Sequence, residues 1–214
     1  MTSPKTRSNP RRSPTPQERQ RDPERTKKLI LDAATAEFAA HGYAGARIGA
    51  ISARAGVNQQ LISYYFGGKE GLYQAISESW RQRERDLVTP DMPMSEQIRQ
   101  YALEVLRHPD GVRLLAWNGL EYEGPETDPD HKPRSEQLQN GVQGLRELQK
   151  AGKLPEEIDP ACLTVMLMAA AMATTTLPHV IEGVCEADPH SPEFVQHYAD
   201  QVAAVVRLLG LDAR

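Results

Sequence analysis

Apolar residues in this chain return every three or four positions, stretch after stretch, and glycine or proline closes each run. No run alternates apolar and polar residues for long enough to make a strand. A 3.6-residue period with Gly/Pro punctuation confines the chain to an all-α architecture. The first helix is expected from Asp22-Pro23, with aspartate as N-cap and proline at the first helical position. Ile30, Ala34 and Phe38 follow at i+4 spacing with Ala33 beside them, and His41-Gly42 stops the run. Further helices are expected over 48–55, 58–65, 69 to about 88, 94–107, 110–122 and 134–151. The segment "GPETDPDHKP" (124–133) is expected as a loop. Asp159-Pro160 opens a long apolar helix through about 177, and Ser191-Pro192 opens the last one, closed by Gly210. No internal repeat is visible.

The charge is divided unevenly along the chain. Residues 1–72 hold 12 Lys+Arg against 6 Asp+Glu, so the rest of the chain carries the acidic excess that brings the total to −4. A basic front and an acidic back point to a polyanion partner at one end only. Residues 1–22, with four prolines among Ser, Thr, Gln and Arg, lack the apolar area that offsets ordering entropy, so a disordered basic tail is expected there. Its arginines serve either as a solvated tail or as a groove-reaching arm. The N-terminus has no apolar secretory core, so the cytoplasm is the expected compartment. Cys162 and Cys185 lack metal spacing and are expected as reduced, buried thiols. The apolar run 162–177 is too short for a membrane span.

Residues 48–66 carry the chemistry. A short helix, a turn at Gly56 and a second short helix form a helix-turn-helix pattern, with Asn58 suited to cap the second helix. Val57, Leu61, Ile62 and Tyr65 share one side of that helix; Gln59, Gln60, Ser63 and Tyr64 share the other. Glutamine donates and accepts at once, which matches the N6/N7 edge of adenine in the major groove. Ser63 and Tyr64 hydroxyls suit phosphate oxygens, which position a helix rather than specify sequence. Lys69, at the start of the next helix, suits a phosphate beside free backbone N–H groups. The competing reading of the same residues is an ordinary solvated helix face.

The segment "FAAHGYAGARIGAISARAGVNQQLISYYFGGKEGLY", Phe38 to Tyr73, resembles the TetR family of bacterial transcriptional regulators. The family pattern runs F-x-x-x-G-[YF], I-[AS]-x-x-A-G-V-[SN], then Y-x-[YF]-F-x-x-K-E-x-L. Two departures stand out. Ala46-Arg47 replaces the usual threonine pair, which makes Arg47 the candidate phosphate contact there. Ser63 replaces a frequent tyrosine, leaving Tyr64 to take its place. The resemblance implies an N-terminal three-helix DNA-binding domain (23–68), followed by a helical effector-binding and dimerisation domain (69–214). It further implies a homodimer on double-stranded palindromic operator DNA, with half-sites about 34–36 Å apart, and repression relieved by a small-molecule effector.

No motif names that effector. The resemblance implies a pocket under the fourth helix, for which Trp80, Tyr101, Trp117, Asn118 and Tyr122 are the candidates; plain core is the alternative for each. For the dimer, Ala169, Ala170, Ala171 and Ala173 allow close approach, with Met166, Met168, Leu177 and the face Val202–Leu209 adding apolar area. Neither a metal site nor a cofactor is expected: the six histidines have no HExxH or paired-ligand spacing, and Gly67-Gly68-Lys69-Glu70 lacks P-loop spacing. An enzyme without a recognisable motif, or a helical protein-interaction module without DNA binding, are the rival readings. A basic front half and a polar reading face argue against both.

Overall fold

The computed structural model describes residues 16–89 and 91–212. Among them are ten α-helices: α1 (Pro16–Gly45), α2 (Ile48–Ala55), α3 (Gln59–Phe66), α4 (Lys69–Leu87), α5 (Met94–Arg107), α6 (Pro109–Leu120), α7 (His131–Lys150), α8 (Pro160–Thr176), α9 (Pro178–Cys185) and α10 (Pro192–Leu208). A 3-10 turn, Pro125–Thr127, precedes α7. The all-α expectation holds.

Several boundaries differ from expectation for local reasons. α1 starts at Pro16, ahead of the expected Pro23, because Gln17-Glu18-Arg19-Gln20-Arg21 are all good helix formers. The disordered tail is therefore replaced by helix at 16–22, and the remainder of it lies outside the described residues. At the other end the backbone leaves helical geometry at Gly42 (φ 68, ψ 178), the stop read from sequence. α7 starts at His131 rather than 134, since Pro133 falls in the first turn, where its missing N–H costs nothing. The eight-residue α9 was not anticipated. Leu177-Pro178 ends α8, and α9 turns away from it by 82°. No single helix among the described residues is long and apolar enough to cross a membrane.

Two apolar clusters organise the packing. The first joins Ile30, Ala34 and Phe38 of α1 to Ile51 of α2, Ile62 of α3, and Leu72, Tyr73 and Ile76 of α4. Leu114 of α6 belongs to the same cluster, so the N-terminal core reaches beyond residue 68. The second cluster is built from α5, α7, α8 and α10 around Ala102, Leu145, Leu163, Ala199 and Val206. Asp212 ties the chain's far end to α5, accepting from Ser95 N–H (2.7 Å) and Ser95 Oγ–H (2.5 Å).

Two expectations about side-chain placement need correction. Cys162 and Cys185 are both exposed, because each lies on an outer turn of its helix. Of the dimer candidates, Ala171, Ala173, Val202 and Val206 are buried in the chain's own core. The apolar area that stays exposed is Val165, Met166 and Leu177, joined by Val180 and Val184 of α9 and by Val205, Leu208 and Leu209. α8 is apolar all round, so its period could not separate the face it packs from the face it shows.

Candidate functional site

α2 and α3 are held as a unit from beneath. Ile51 and Ile62 are fully buried against α1, and half-buried Ile48, Val57, Leu61, Tyr65 and Phe66 close around them. Gly56 (φ 67) takes the left-handed conformation that ends α2, its N–H bonding back to Ala53 O and Ser52 O. Asn58 then caps α3 as expected, Oδ1 accepting from Gln60 N–H at 2.9 Å. These contacts fix the rotation of α3 and hence which residues it presents.

Gln59, Gln60, Ser63 and Tyr64 are all exposed, Tyr64 by 79%. Tyr64 and Tyr65 meet edge to face at 5.0 Å, one outside and one half inside. Gln59 leans over α2, and a Cβ placed on Gly49 would sit 3.2 Å from its Nε2. Arg47 is exposed at the N-cap of α2 without capping it through its side chain; its backbone N–H donates to Glu37 Oε1 (3.2 Å). Lys69 is half-buried rather than free on the surface. Its Nζ donates to Ala44 O at 3.1 Å and lies 5.0 Å from the Tyr43 ring centre, because the α1–α2 turn packs over the start of α4. The sequence candidates Arg47, Asn58, Gln59, Gln60, Ser63, Tyr64 and Lys69 thus gather on the α2–α4 portion of the head, with Asn58 and Lys69 partly committed to structure.

A cavity of about 340 Å³ opens between α4, α5, α6, α7 and α8. Trp80, Tyr101 and Asn118 line it. Trp117 and Tyr122 do not: Trp117 Nε1–H donates to Ala39 O (3.1 Å), packing its ring on α1, and Tyr122 lies exposed beyond the end of α6. Burial pushes the Tyr101 phenol to about 12, with the Glu84 charge adding to the effect. Trp80 enters the cavity wall where Gly111 leaves room; a Cβ on Gly111 would fall 1.4 Å from the indole.

The sequence did not single out the charged groups here. Arg81 and Asp130, both buried, form an ion pair, and Arg134 pairs with Asp128. Glu84, Glu104 and Gln137 also line the cavity. One signal was available: Glu104 stands on the same stripe as Ile98 and Tyr101, a charge on a core-facing helix side.

Three contacts join α6 to the head. Tyr73 Oη donates to Asn118 Oδ1 at 2.5 Å, and burial keeps that phenol at about 12 and therefore neutral. Trp117 reaches Ala39, as above. Glu121, at the end of α6, accepts from the N–H groups of Tyr43 (2.8 Å) and Ala44 (3.3 Å), which follow the break at Gly42 in the last residues of α1. Gly42 is required there, since its φ is left-handed and a Cβ would lie 2.1 Å from Glu121 Oε1.

Comparison with known proteins accounts for both halves. Residues 30–76 match the model of bacterial regulatory proteins of the tetR family, and residues 98–207 match that of the tetracyclin repressor-like C-terminal domain. The HTH-type transcriptional repressor SCO4008 of Streptomyces coelicolor is 36% identical over 164 residues, covering 75% of this chain and 83% of that protein. The HTH-type transcriptional repressor NicS of Pseudomonas putida is 36% identical over 105 residues, 45% of this chain and 50% of that protein. Among solved structures, the transcriptional regulator SCO4942 of Streptomyces coelicolor superposes with a TM-score of 0.68 at 25% identity, covering 86% of this chain and 97% of that one. With family models matching residues 30–76 and 98–207 and a relative 36% identical over 75% of the chain, the chain belongs to the TetR family of DNA-binding transcriptional regulators.

Proposed function

We propose that the protein is a repressor that binds a palindromic operator as a homodimer and leaves it when a small molecule fills the cavity between α4 and α8. The observation that carries the reading is the outward face of α3: four exposed polar or phenolic side chains on a helix whose other side is locked into the core. In this reading Gln59 and Gln60 meet base edges, while Ser63, Tyr64 and Arg47 meet phosphates. Lys69 adds positive charge from its place beside Ala44. Residues 23–68 act as the reading head and 69–214 as the sensing and pairing body, with the exposed apolar stripe of α8, α9 and α10 facing the second copy.

Release follows from shared helices. α4 begins in the head at Lys69 and carries Trp80 and Glu84 into the cavity. α6 carries Asn118 in the cavity wall and Glu121 against α1. A ligand that fits only a displaced arrangement of α4 and α6 therefore shifts the head, and with it the spacing of the paired α3 helices. The names of the relatives as transcriptional repressors support the direction of control.

The experiment is a gel shift on DNA upstream of the protein's own coding sequence. Wild-type protein should give a discrete complex, and Ala171→Leu, which intrudes on the cavity from α8, should keep that complex while losing response to inducing cell extract. Failure to bind any site in that DNA or in a random-sequence selection would count against the reading.

A further inference from the structure

Gly49 stands at the second position of α2, an eight-residue helix, although glycine is among the least favourable residues inside a helix. Its backbone does not ask for glycine: unlike Gly42, Gly56 and Gly67, it has no left-handed φ. Nor does a neighbouring helix press its backbone against the position. Apart from the two chain neighbours and the backbone of α2, a Cβ at 49 would meet one atom within 4 Å among the described residues, Gln59 Nε2 at 3.2 Å. What the missing side chain leaves is room for a glutamine of the reading helix.

Gln59 opens α3 and is exposed, and its amide makes no hydrogen bond among the described residues. Both of its functions, N–H donor and carbonyl acceptor, are therefore free for a base edge. The amide lies back across the first turn of α2, and that turn is firmly held. Arg47 N–H donates to the buried Glu37 at Oε1 (3.2 Å), and Ile51 N–H donates to Arg47 O (3.1 Å). The hydroxyl of buried Ser52 donates to Gly49 O itself (3.0 Å). Ile51 is fully buried on the core side of the same turn, so α2 cannot rotate to make room.

A side chain at 49 therefore moves Gln59 and leaves α2 in place. Alanine asks for a shift of a few tenths of an ångström, which an exposed glutamine can give. A longer side chain takes the space of the amide. Direct readout needs donor and acceptor to meet one base edge together, so an amide displaced by a side-chain width meets a different edge or none.

We propose that Gly49 is a specificity-determining positioning residue: it keeps open the lane across α2 in which Gln59 lies, and so sets which base Gln59 reads. This rests on the reading of Gln59 as a base contact and adds a residue that acts only through it.

The test is selection of binding sites from random-sequence DNA by the full-length protein, followed by anisotropy on the selected operator and its single-base variants. Gln59→Ala marks the positions that Gln59 reads, as a loss of at least about fivefold in discrimination per half-site. Gly49→Leu and Gly49→Met, two helix formers of similar length, should lose or change preference at those same positions and keep it elsewhere. Their Tm should match wild type or exceed it by up to about 4 °C, because both residues favour helix over glycine. Gly49→Ala should share that Tm and keep wild-type preferences. The deciding variant is Gly49→Leu combined with Gln59→Ala, in which leucine should add no further loss. An equal loss from leucine with and without Gln59, or unchanged preferences in folded Gly49→Leu and Gly49→Met while Gln59→Ala alters them, overturns the proposal and leaves Gln59 a base reader. Preferences untouched by Gln59→Ala instead remove Gln59 from the bases, and the proposal goes with that reading.

Discussion

Glu121→Ala should uncouple head from body while leaving the reading face untouched. The carboxylate accepts from two backbone N–H groups, Tyr43 at 2.8 Å and Ala44 at 3.3 Å, across 78 and 77 residues of sequence. Hydrogen bonds to a charged acceptor contribute about 1.5–3 kcal/mol each. The longer one counts for less, and freeing the side chain returns about 1 kcal/mol of rotamer entropy. The net loss is about 2 kcal/mol. For a chain of this size that lowers Tm by about 4–8 °C, read by circular dichroism at fixed protein concentration. Glu121→Gln keeps one acceptor oxygen and should lose about half as much. Operator affinity without ligand should change little in either variant, but the ligand-induced loss of that affinity should shrink in Glu121→Ala. A Tm within 1 °C of wild type together with full ligand response would refute the coupling described here.

The other expected outcomes concern separate parts of the molecule. Asn58→Ala removes the α3 cap and should cost about 1 kcal/mol in urea unfolding, along with weaker operator binding. Tyr64→Phe should lower affinity for specific and random DNA alike with Tm unchanged, since the phenol is exposed; equal affinity would show that it touches no phosphate. Val184→Glu with Leu208→Glu places charge on residues that are 76% and 87% exposed, and should give a monomer by sedimentation with operator binding lost. Glu84 has its carboxyl raised above the ordinary 4.5 in the folded protein, so the native state holds the proton longer and stability falls as pH rises through that window. Glu84→Gln lacks this loss, and its stability relative to wild type should improve between pH 4 and pH 7; a constant difference would contradict the assigned burial.

The head was legible because its signals are local. Asn58 is followed by a helix that it caps, Gly56 closes the helix before it, and the apolar residues of α3 fall on one side at helical spacing. The alternation that sends Tyr65 inward and Tyr64 outward needs nothing beyond 3.6 residues per turn. The body was less legible because its decisive contacts are made between helices far apart in sequence. Trp117 and Asn118 are neighbours on α6, yet one faces α1 and the other the cavity. The pairing of Arg81 with Asp130 spans 49 residues, and no spacing rule links them. α8 hid its exposed face because every side of it is apolar, and α9 was hidden because it starts straight after α8 at Leu177-Pro178 with no side-chain cap to announce a second helix.

The most direct test is a double-mutant cycle between Gln60 and the operator, measured by anisotropy at constant salt. Wild-type protein should discriminate against replacement of one adenine in each half-site by about 25- to 20 000-fold, the value of two bidentate contacts, one from each protomer. Gln60→Ala should bind the original operator more weakly by a similar factor and show no further loss on the same base change. Full affinity and undiminished discrimination in Gln60→Ala, at every operator position, would contradict α3 as the reading helix.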